Sequence, residues 1–494
     1  MSRPAIKTPV PLILLLLLTA CGKAGHDGLD ALVSLQTEAA GDHCPYGGTR
    51  VDSGRDRNGN GVLDADEIEQ TGYVCNGLGG AGWQLAGQIE RLSPTYSDAY
   101  AAGEPQVAMD DQGRGLAVWE HSTGTGNRLW ANRYHPETGW QAQQPIDTTG
   151  DGNTLRPDLA MNGTGDAVAA WQRDDGTHTT VWVNRFDAAT ESWAGAQRLD
   201  TAPDSEQAVL PKVGMDAAGN AIVLWRQTEG GTHVLYTSRF DGGAGTWSAP
   251  TPIQAGEQEI QGWQLAVGSG GTALAVWLQR GSDNQFHVWA SRFDGTWQTA
   301  EALEDGTEGR ASDPQAAVAA NGDAVVVWTQ SNQVFARRFV DDAWEDAQVL
   351  SDRNEPFAPQ VVMDGEGNAL ALWSQYEFGL YRLWARRLDA QAGTWDTPQP
   401  VETGDGDAEY AHLAMNADGT ALAVWQANGG LHTDILANRY LPGLGWDRPR
   451  LLEWEAADAY EPRVALDPQG NALAVWEQTG ARQTRIWGNR YIAP

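Results

Sequence analysis

Positive charge is what this chain has least of. Lys+Arg total 33 against Asp+Glu 65, a formal net charge of -32. No basic patch with interleaved aromatics occurs, and so acidic a surface repels phosphate backbones, which excludes nucleic acid as a partner. Cysteine is nearly missing, with three in 494 residues. Beyond the first twenty residues there is no apolar run of membrane-spanning length. HExxH, GxSxG and a phosphate-binding glycine loop are all lacking, and no cysteine is left over for nucleophilic attack. What is abundant is glycine, 58 residues, and tryptophan, 23 residues. Glycine without a collagen-like period indicates many tight turns, and tryptophan in such number indicates a residue set into every copy of a repeat.

Residues 1–20 hold Arg3 and Lys7, the apolar run Val10 to Leu18, then Thr19-Ala20. This is the layout of an export signal: charged region, short hydrophobic region, small residues at a cleavage point. Cys21 follows at once, and Leu18-Thr19-Ala20-Cys21 resembles the lipobox of bacterial lipoproteins. The resemblance implies cleavage before Cys21 and its lipidation. Gly22 rather than aspartate after it implies the outer membrane, with the protein anchored in the cell envelope by its lipid. The oxidising compartment reached by export makes one disulfide between Cys44 and Cys75 the expected pairing; a shared metal site is the alternative, though no CxxC spacing supports it.

Between those two cysteines, Asp56-Arg57-Asn58-Gly59-Asn60-Gly61-Val62-Leu63-Asp64-Ala65-Asp66-Glu67 fits the twelve-residue calcium loop. Asp56, Asn58 and Asn60 supply oxygens at positions 1, 3 and 5. The Val62 carbonyl serves position 7, Asp64 position 9, and Glu67 can give both carboxylate oxygens at 12. Calcium needs many hard oxygen donors at loose geometry, which this spacing wraps around one ion. Upstream, Gly47 to Gly54 is extended rather than helical; downstream, Glu67 to Gln70 is expected to make one helical turn before Thr71-Gly72. Residues 21–79 are therefore read as a small module with an EF-hand-like loop, in which calcium has a structural role. Gly47-Gly48, the loop and Tyr73-Val74-Cys75-Asn76-Gly77 are also similar to a family of small uncharacterised modules at the head of bacterial surface lipoproteins. That resemblance implies location and architecture but no activity.

Residues 82–494 repeat one unit. Trp119, Trp171, Trp225, Trp277, Trp328, Trp373, Trp425 and Trp476 end equivalent apolar runs, separated by 52, 54, 52, 51, 45, 52 and 51 residues. Each copy reads as four short strands: one like Pro105 to Asp110, a Gly/Asn turn, the apolar run into the tryptophan, one like Leu129 to Tyr134, and a last opened by another tryptophan such as Trp140. Four strands at this period make a propeller blade. The eighth copy stops at Tyr491-Ile492-Ala493-Pro494 without a fourth strand, while Gly82 to Ile89 looks like an orphan one. The expected fold is thus all-β, an eight-bladed β-propeller of four-stranded blades closed by an N-terminal strand. Turns such as Arg239 to Trp247 are similar to the Asp-box turns of sialidase-like propellers, without the leading serine or the fixed spacing.

A recurring arginine, Arg133, Arg185, Arg239, Arg292, Arg338, Arg387, Arg439 and Arg490, is expected to pair with a carboxylate or carbonyl of its own or the next blade rather than with a ligand. His121, His178, His233, His287 and His432 fall at different registers, so they form no metal ring. Catalysis requires a local break in symmetry, and no constellation supplies one, although a glycosidase carboxylate pair stays possible among so many acids. The connections between blades run acidic (Glu206, Glu259, Glu304, Asp407, Glu409, Glu453, Glu455, Asp458, Glu461), placing a negative face over one end of the propeller. Trp263, Tyr410, His412 and Trp454 break the repeat pattern there and are the candidate contacts for a protein, peptide or glycan. The function expected is a non-catalytic binding or scaffold platform; the alternative is a carbohydrate-active, sialidase-like hydrolase.

Overall fold

In a computed structural model the chain divides between Gly79 and Gly80 into two compact units. Described are residues 31–38, 48–58, 60, 62–75, 82–90, 101–147, 152–203, 206–253, 258–304, 309–352, 355–402, 404, 406–480 and 483–494. Cys21 and Cys44 lie outside them, as do Gly59, Gly61 and Asp204.

The first unit holds a three-stranded antiparallel sheet, β1 (Ala31–Glu38), β2 (Gly48–Arg55) and β3 (Ile68–Cys75), in that order. The loop from Asp56 to Glu67 joins β2 to β3 as the turn of their hairpin. The helical turn expected after Glu67 does not form: Ile68 and Gln70 pair with Gly54 and Ser53, so the backbone bonds a helix would use are spent on the sheet. Gly54 is obligatory at this junction, since a Cβ there would lie 1.9 Å from the Glu67 carbonyl oxygen.

Among the described residues the second unit forms eight antiparallel sheets, one per sequence repeat, each open. In the first sheet the strands are Ala102–Met109, Gly115–Ser122 and Asn127–His135, followed by two short pieces, Gly139–Trp140 and Gln144–Pro145, both paired with the third strand. The expected fourth strand is thus broken: its residues 140 to 144 span what the third covers from 134 to 131, one residue too many, a β-bulge. The innermost strand starts at Ala102, earlier than its proline had suggested, and carries its own bulge between Gly103 and Gln106. Every other sheet repeats that inner bulge.

The apolar second strands form the core, and the eight repeat tryptophans that end them are at most 1% exposed. They are the largest fully buried side chains among the described residues. The fourth-strand tryptophan packs edge-on against the third-strand aromatic, Trp140 on Tyr134 at 5.3 Å and Trp344 on Phe339 at 5.2 Å between ring centroids. In the eighth sheet Trp83 takes that place on Tyr491 at 5.4 Å, because Gly82–Trp83 and Gly87–Gln88 pair with the strand Thr484–Ile492. The chain's early segment therefore supplies the piece that the eighth copy lacks.

The recurring arginines tie each sheet to the next. Arg133 lies over Phe186, Arg185 over Phe240, Arg239 over Phe293 and Arg292 over Phe339, each within 6.0 Å of the ring centroid. Arg490 of the eighth sheet lies 5.6 Å over Tyr134 of the first and donates to the Pro136 carbonyl. The expected structural role holds, with the next sheet as partner.

Candidate functional site

Six of the eight inner strands carry a proline directly before a polar residue, and the residue preceding that proline has positive φ: Glu104, Arg156, Leu210, Asp313, Ala358 and Glu461. Gly262 and Tyr410 hold the same backbone conformation without a following proline. A non-glycine residue with positive φ is uncommon, so its recurrence at one register marks a requirement of the bulge. Proline suits the next position because a bulge leaves no ladder bond for its missing N–H.

The freed N–H of the positive-φ residue is used between sheets. Arg156 N–H donates to Glu120 Oε1 (2.6 Å), Leu210 to Gln172 Oε1 (3.0 Å), Glu461 to Gln426 Oε1 (2.9 Å), and Glu104 to Glu477 Oε1 (2.7 Å). Each acceptor directly follows a repeat tryptophan in the preceding sheet, the last bond running from the first sheet to the eighth.

Two residues beyond each positive-φ position, where the ladder resumes, comes one polar side chain per sheet: Gln106, Asp158, Lys212, Gln264, Gln315, Gln360, His412 and Arg463. All eight line a single cavity of about 770 Å³, together with Glu104, Arg156, Tyr410 and Glu461. Three of them also latch sheets together: Asp158 accepts from Val213 N–H at 2.8 Å, Gln360 from Leu413 at 2.9 Å, and His412 Nδ1 from Val464 at 3.3 Å. The bond to Nδ1 puts the proton of the neutral imidazole on Nε2. Burial and the Arg463 guanidinium push His412 down to about 3, so it is neutral at physiological pH.

Carboxyls on the cavity lining (Glu104) and against the backbone of lining residues Arg156 and Glu104 (Glu120 and Glu477) are shifted the other way. Burial raises Glu104, opposed by its 2.8 Å ion pair with Arg156. Burial, reinforced by the Glu104 charge, brings Glu120 to about 7. Glu477 also reaches about 7, through burial and the neighbouring Glu461 and Glu104. A carboxyl poised near neutrality is a candidate proton donor. Yet the position is glutamine in the second and seventh sheets, where it makes the same bond, so the bond does not need a titrating group.

Of the four expected contacts, three are brought together here. Trp263 is 5% exposed and committed, its Nε1–H donating to Leu210 O (2.9 Å) and its face covered by Arg226. Tyr410 is 61% exposed at the wall, and His412 stands in the ring. Trp454 does not line the cavity; 66% exposed, its indole reaches the Ala86 carbonyl at 3.5 Å. Sequence reading missed the rest of the ring. The signal was available as a proline-marked register with one polar residue directly after the proline. The acidic connections also prove partly structural: Glu206 accepts from Gly230 N–H, Asp407 from Tyr381, Asp458 from Thr433, and Glu304 from Val288 and His287.

In the first unit, the loop's oxygens turn inward. Glu67, 1% exposed, accepts from the N–H groups of Arg57 (2.7 Å), Asn58 (3.1 Å) and Asp64 (3.1 Å). Asp56 Oδ1 and Asn58 Oδ1 both accept from Asn60 N–H, and the Asn58 and Asn60 amides converge on Asp64 Oδ2 at 2.7 and 2.9 Å. Among the described residues no three His, Cys, Asp or Glu side chains are grouped closely enough to hold a metal. The donor set suits a hard cation through its mixture of carboxylate, amide and carbonyl oxygens, and a bound calcium would draw on the Asn amides and the Val62 carbonyl as well.

Residues 30–75 match the family described as Domain of unknown function (DUF7151). Comparison with curated proteins finds no match. Among solved structures, the chain is similar to a protein of unknown function from Dyadobacter fermentans, at 13% identity over 83% of this chain and 99% of that one, with a TM-score of 0.39. It is similar to the Hadza microbial sialidase Hz136 at 13% identity, 74% of each chain and 0.38. An α-L-arabinofuranosidase from Fusarium graminearum gives 11% identity, 63% and 99% coverage, and 0.40. Among the described residues the second unit is an all-β repeat of antiparallel sheets.

Proposed function

We propose that the protein is a lipid-anchored envelope protein whose eight sheets form a closed eight-bladed propeller serving as a non-catalytic binding platform. The observation that carries this reading is the register of Glu120 and Glu477: these two carboxyls, raised by burial to about 7, sit where Gln172 and Gln426 make the same inter-sheet bond. The cavity's amides, His412 Nε2–H and exposed Tyr410 offer hydrogen bonds and a ring face, a surface suited to holding a polar group. Cys21 carries the lipid and places the chain at the outer membrane. In the first unit Cys44–Cys75 forms a disulfide, and calcium, held by Asp56, Asn58, Asn60, Val62, Asp64 and Glu67, braces the hairpin turn. The ligand is a protein, peptide or glycan meeting the platform at Tyr410, His412 and Trp454, with Trp263 shaping the wall.

The raised Glu120 and Glu477 carboxyls favour one competing reading, a glycoside hydrolase. A screen of aryl glycosides with the wild type, Glu120→Gln and Glu477→Gln separates the two. The platform reading expects no turnover by any of them; turnover that collapses in one variant would establish the enzyme. Fractionation of cells expressing Cys21→Ser tests the anchor: the variant should leave the membrane fraction, and its retention there would remove the lipid claim.

A further inference from the structure

The eight sheets are not equally covered at the end where second strands turn into third. In the third, fifth and sixth sheets this turn has two residues, both with positive φ: Gly230-Gly231, Ser331-Asn332 and Phe378-Gly379. Such type I′ turns favour Asn, Asp or Gly at the first position. Ser331 and Phe378 both depart from this, and Phe378, with φ 51°, is also bulky and wholly exposed at 104%. A bulky aromatic there is disfavoured twice, by its backbone and by its contact with water.

Three more large apolar side chains are exposed at the same end between the sixth and eighth sheets: Tyr376 (43%), Leu431 (97%) and Trp454 (66%). Strand pairing puts them together. Tyr376 pairs with Tyr381, whose N–H donates to Asp407 at the start of the seventh sheet (2.7 Å). Leu431 stands in the seventh sheet's turn, whose Thr433 N–H donates to Asp458 of the eighth (2.9 Å). Glu453, just before Trp454, accepts from Ile435 N–H in the same sheet. From the sixth sheet to the eighth, this end thus presents a strip of exposed apolar side chains. Its rim is acidic, carrying Glu377, Asp407, Glu409, Glu455 and Asp458, while Arg382 is bound to Glu402 and the Gly404 carbonyl.

We infer that this strip docks an extended segment of a partner protein in which apolar side chains alternate with lysine or arginine. The apolar side chains cover Phe378, Leu431 and Trp454; the cations meet the carboxylate rim, in keeping with the chain's charge of -32. This inference rests on the platform reading and gives it a partner chemistry and a place outside the cavity.

The test uses the full-length protein and fluorescence anisotropy of a labelled peptide of alternating lysine and leucine. The expected result is binding that weakens at least about tenfold in Phe378→Asn and in Leu431→Ser, as truncated anchors do. Binding should also weaken with salt and when leucine is replaced by serine or lysine by glutamate. Leu444→Ser, which removes a side chain 82% exposed at the opposite end of the seventh sheet, should change nothing. Phe378→Asn suits its turn better than the native residue, so a lost fold cannot mimic the effect. Failure of the peptide to bind, equal binding by the Phe378 and Leu431 variants, or equal loss in Leu444→Ser overturns the inference. So does a wild-type dimer that Phe378→Asn dissolves, which would give the strip to a second copy. Binding abolished only by Tyr410→Ala and Arg463→Gln would overturn the strip and leave the platform reading intact, whereas glycoside turnover would remove the platform reading itself.

Discussion

Replacing Glu477 with glutamine is expected to stabilise the repeat unit at pH 8 and to change it little at pH 5. The wild-type carboxyl is held at about 7 rather than its ordinary 4.5, first by burial and then by the charges of Glu461 and Glu104. A carboxyl raised in this way stabilises the fold while protonated. That contribution is complete below about pH 4.5 and is lost as pH rises through 7, because the unfolded chain releases the proton first. The interval corresponds to about 3 kcal/mol at most, and to about 2 once side-chain relaxation is allowed for. Glutamine keeps an oxygen for the Glu104 N–H and never charges, so it should gain about 2 kcal/mol at pH 8 and under about 1 at pH 5. With an unfolding entropy near 0.9 kcal/mol/K for a unit of this length, the pH 8 gain raises Tm by about 2 °C. Glu477→Ala also discards the charge but strands the Glu104 N–H, so it should fall about 1–3 kcal/mol below the glutamine variant. Thermal unfolding at the two pH values measures all three. A glutamine variant that melts at or below the wild type at pH 8 would refute the reasoning.

Trp225→Ala, at a side chain with no exposed surface, should cost about 3–5 kcal/mol in urea unfolding, and a loss under about 1 would show that the repeat tryptophans are not core. Phe378→Asn should raise stability by about 1 kcal/mol, because asparagine tolerates the left-handed backbone; a lower Tm would contradict the turn assignment. Calorimetry should detect calcium binding to the wild type and none to Glu67→Gln, and equal heats from both would end the metal reading.

The repeat was legible because it is written in large, spaced side chains: the buried tryptophans, the apolar runs before them, and the orphan segment with Trp83 as the counterpart of Trp140 and Trp193. The arginines were legible in role but not in partner, since the aromatic each covers belongs to the next repeat, some fifty residues on. What stayed hidden was backbone detail. Neither bulge shows as a break in hydrophobic pattern, because an inserted residue shifts the alternation by one place within a short strand. Without the inner bulge, the ring from Gln106 to Arg463 had no reason to be singled out, and attention fell on visible oddities such as Trp454. The helical turn after Glu67 failed for a different reason: local spacing suggested it, while pairing with Ser53 and Gly54 overrode it.

Trp83 and Tyr491 meet across a sequence separation of roughly 400 residues, and ribosomes add about 5–20 residues per second. The early segment therefore waits on the order of 20–80 s for the strand it completes. During that interval the growing protein has an unfinished margin at each end, with unpaired backbone groups open to any passing chain. Synthesis order and assembly order run opposite to each other at this one seam. A rearranged gene whose product begins between two complete sheets would remove the wait, while leaving every contact in the finished molecule the same.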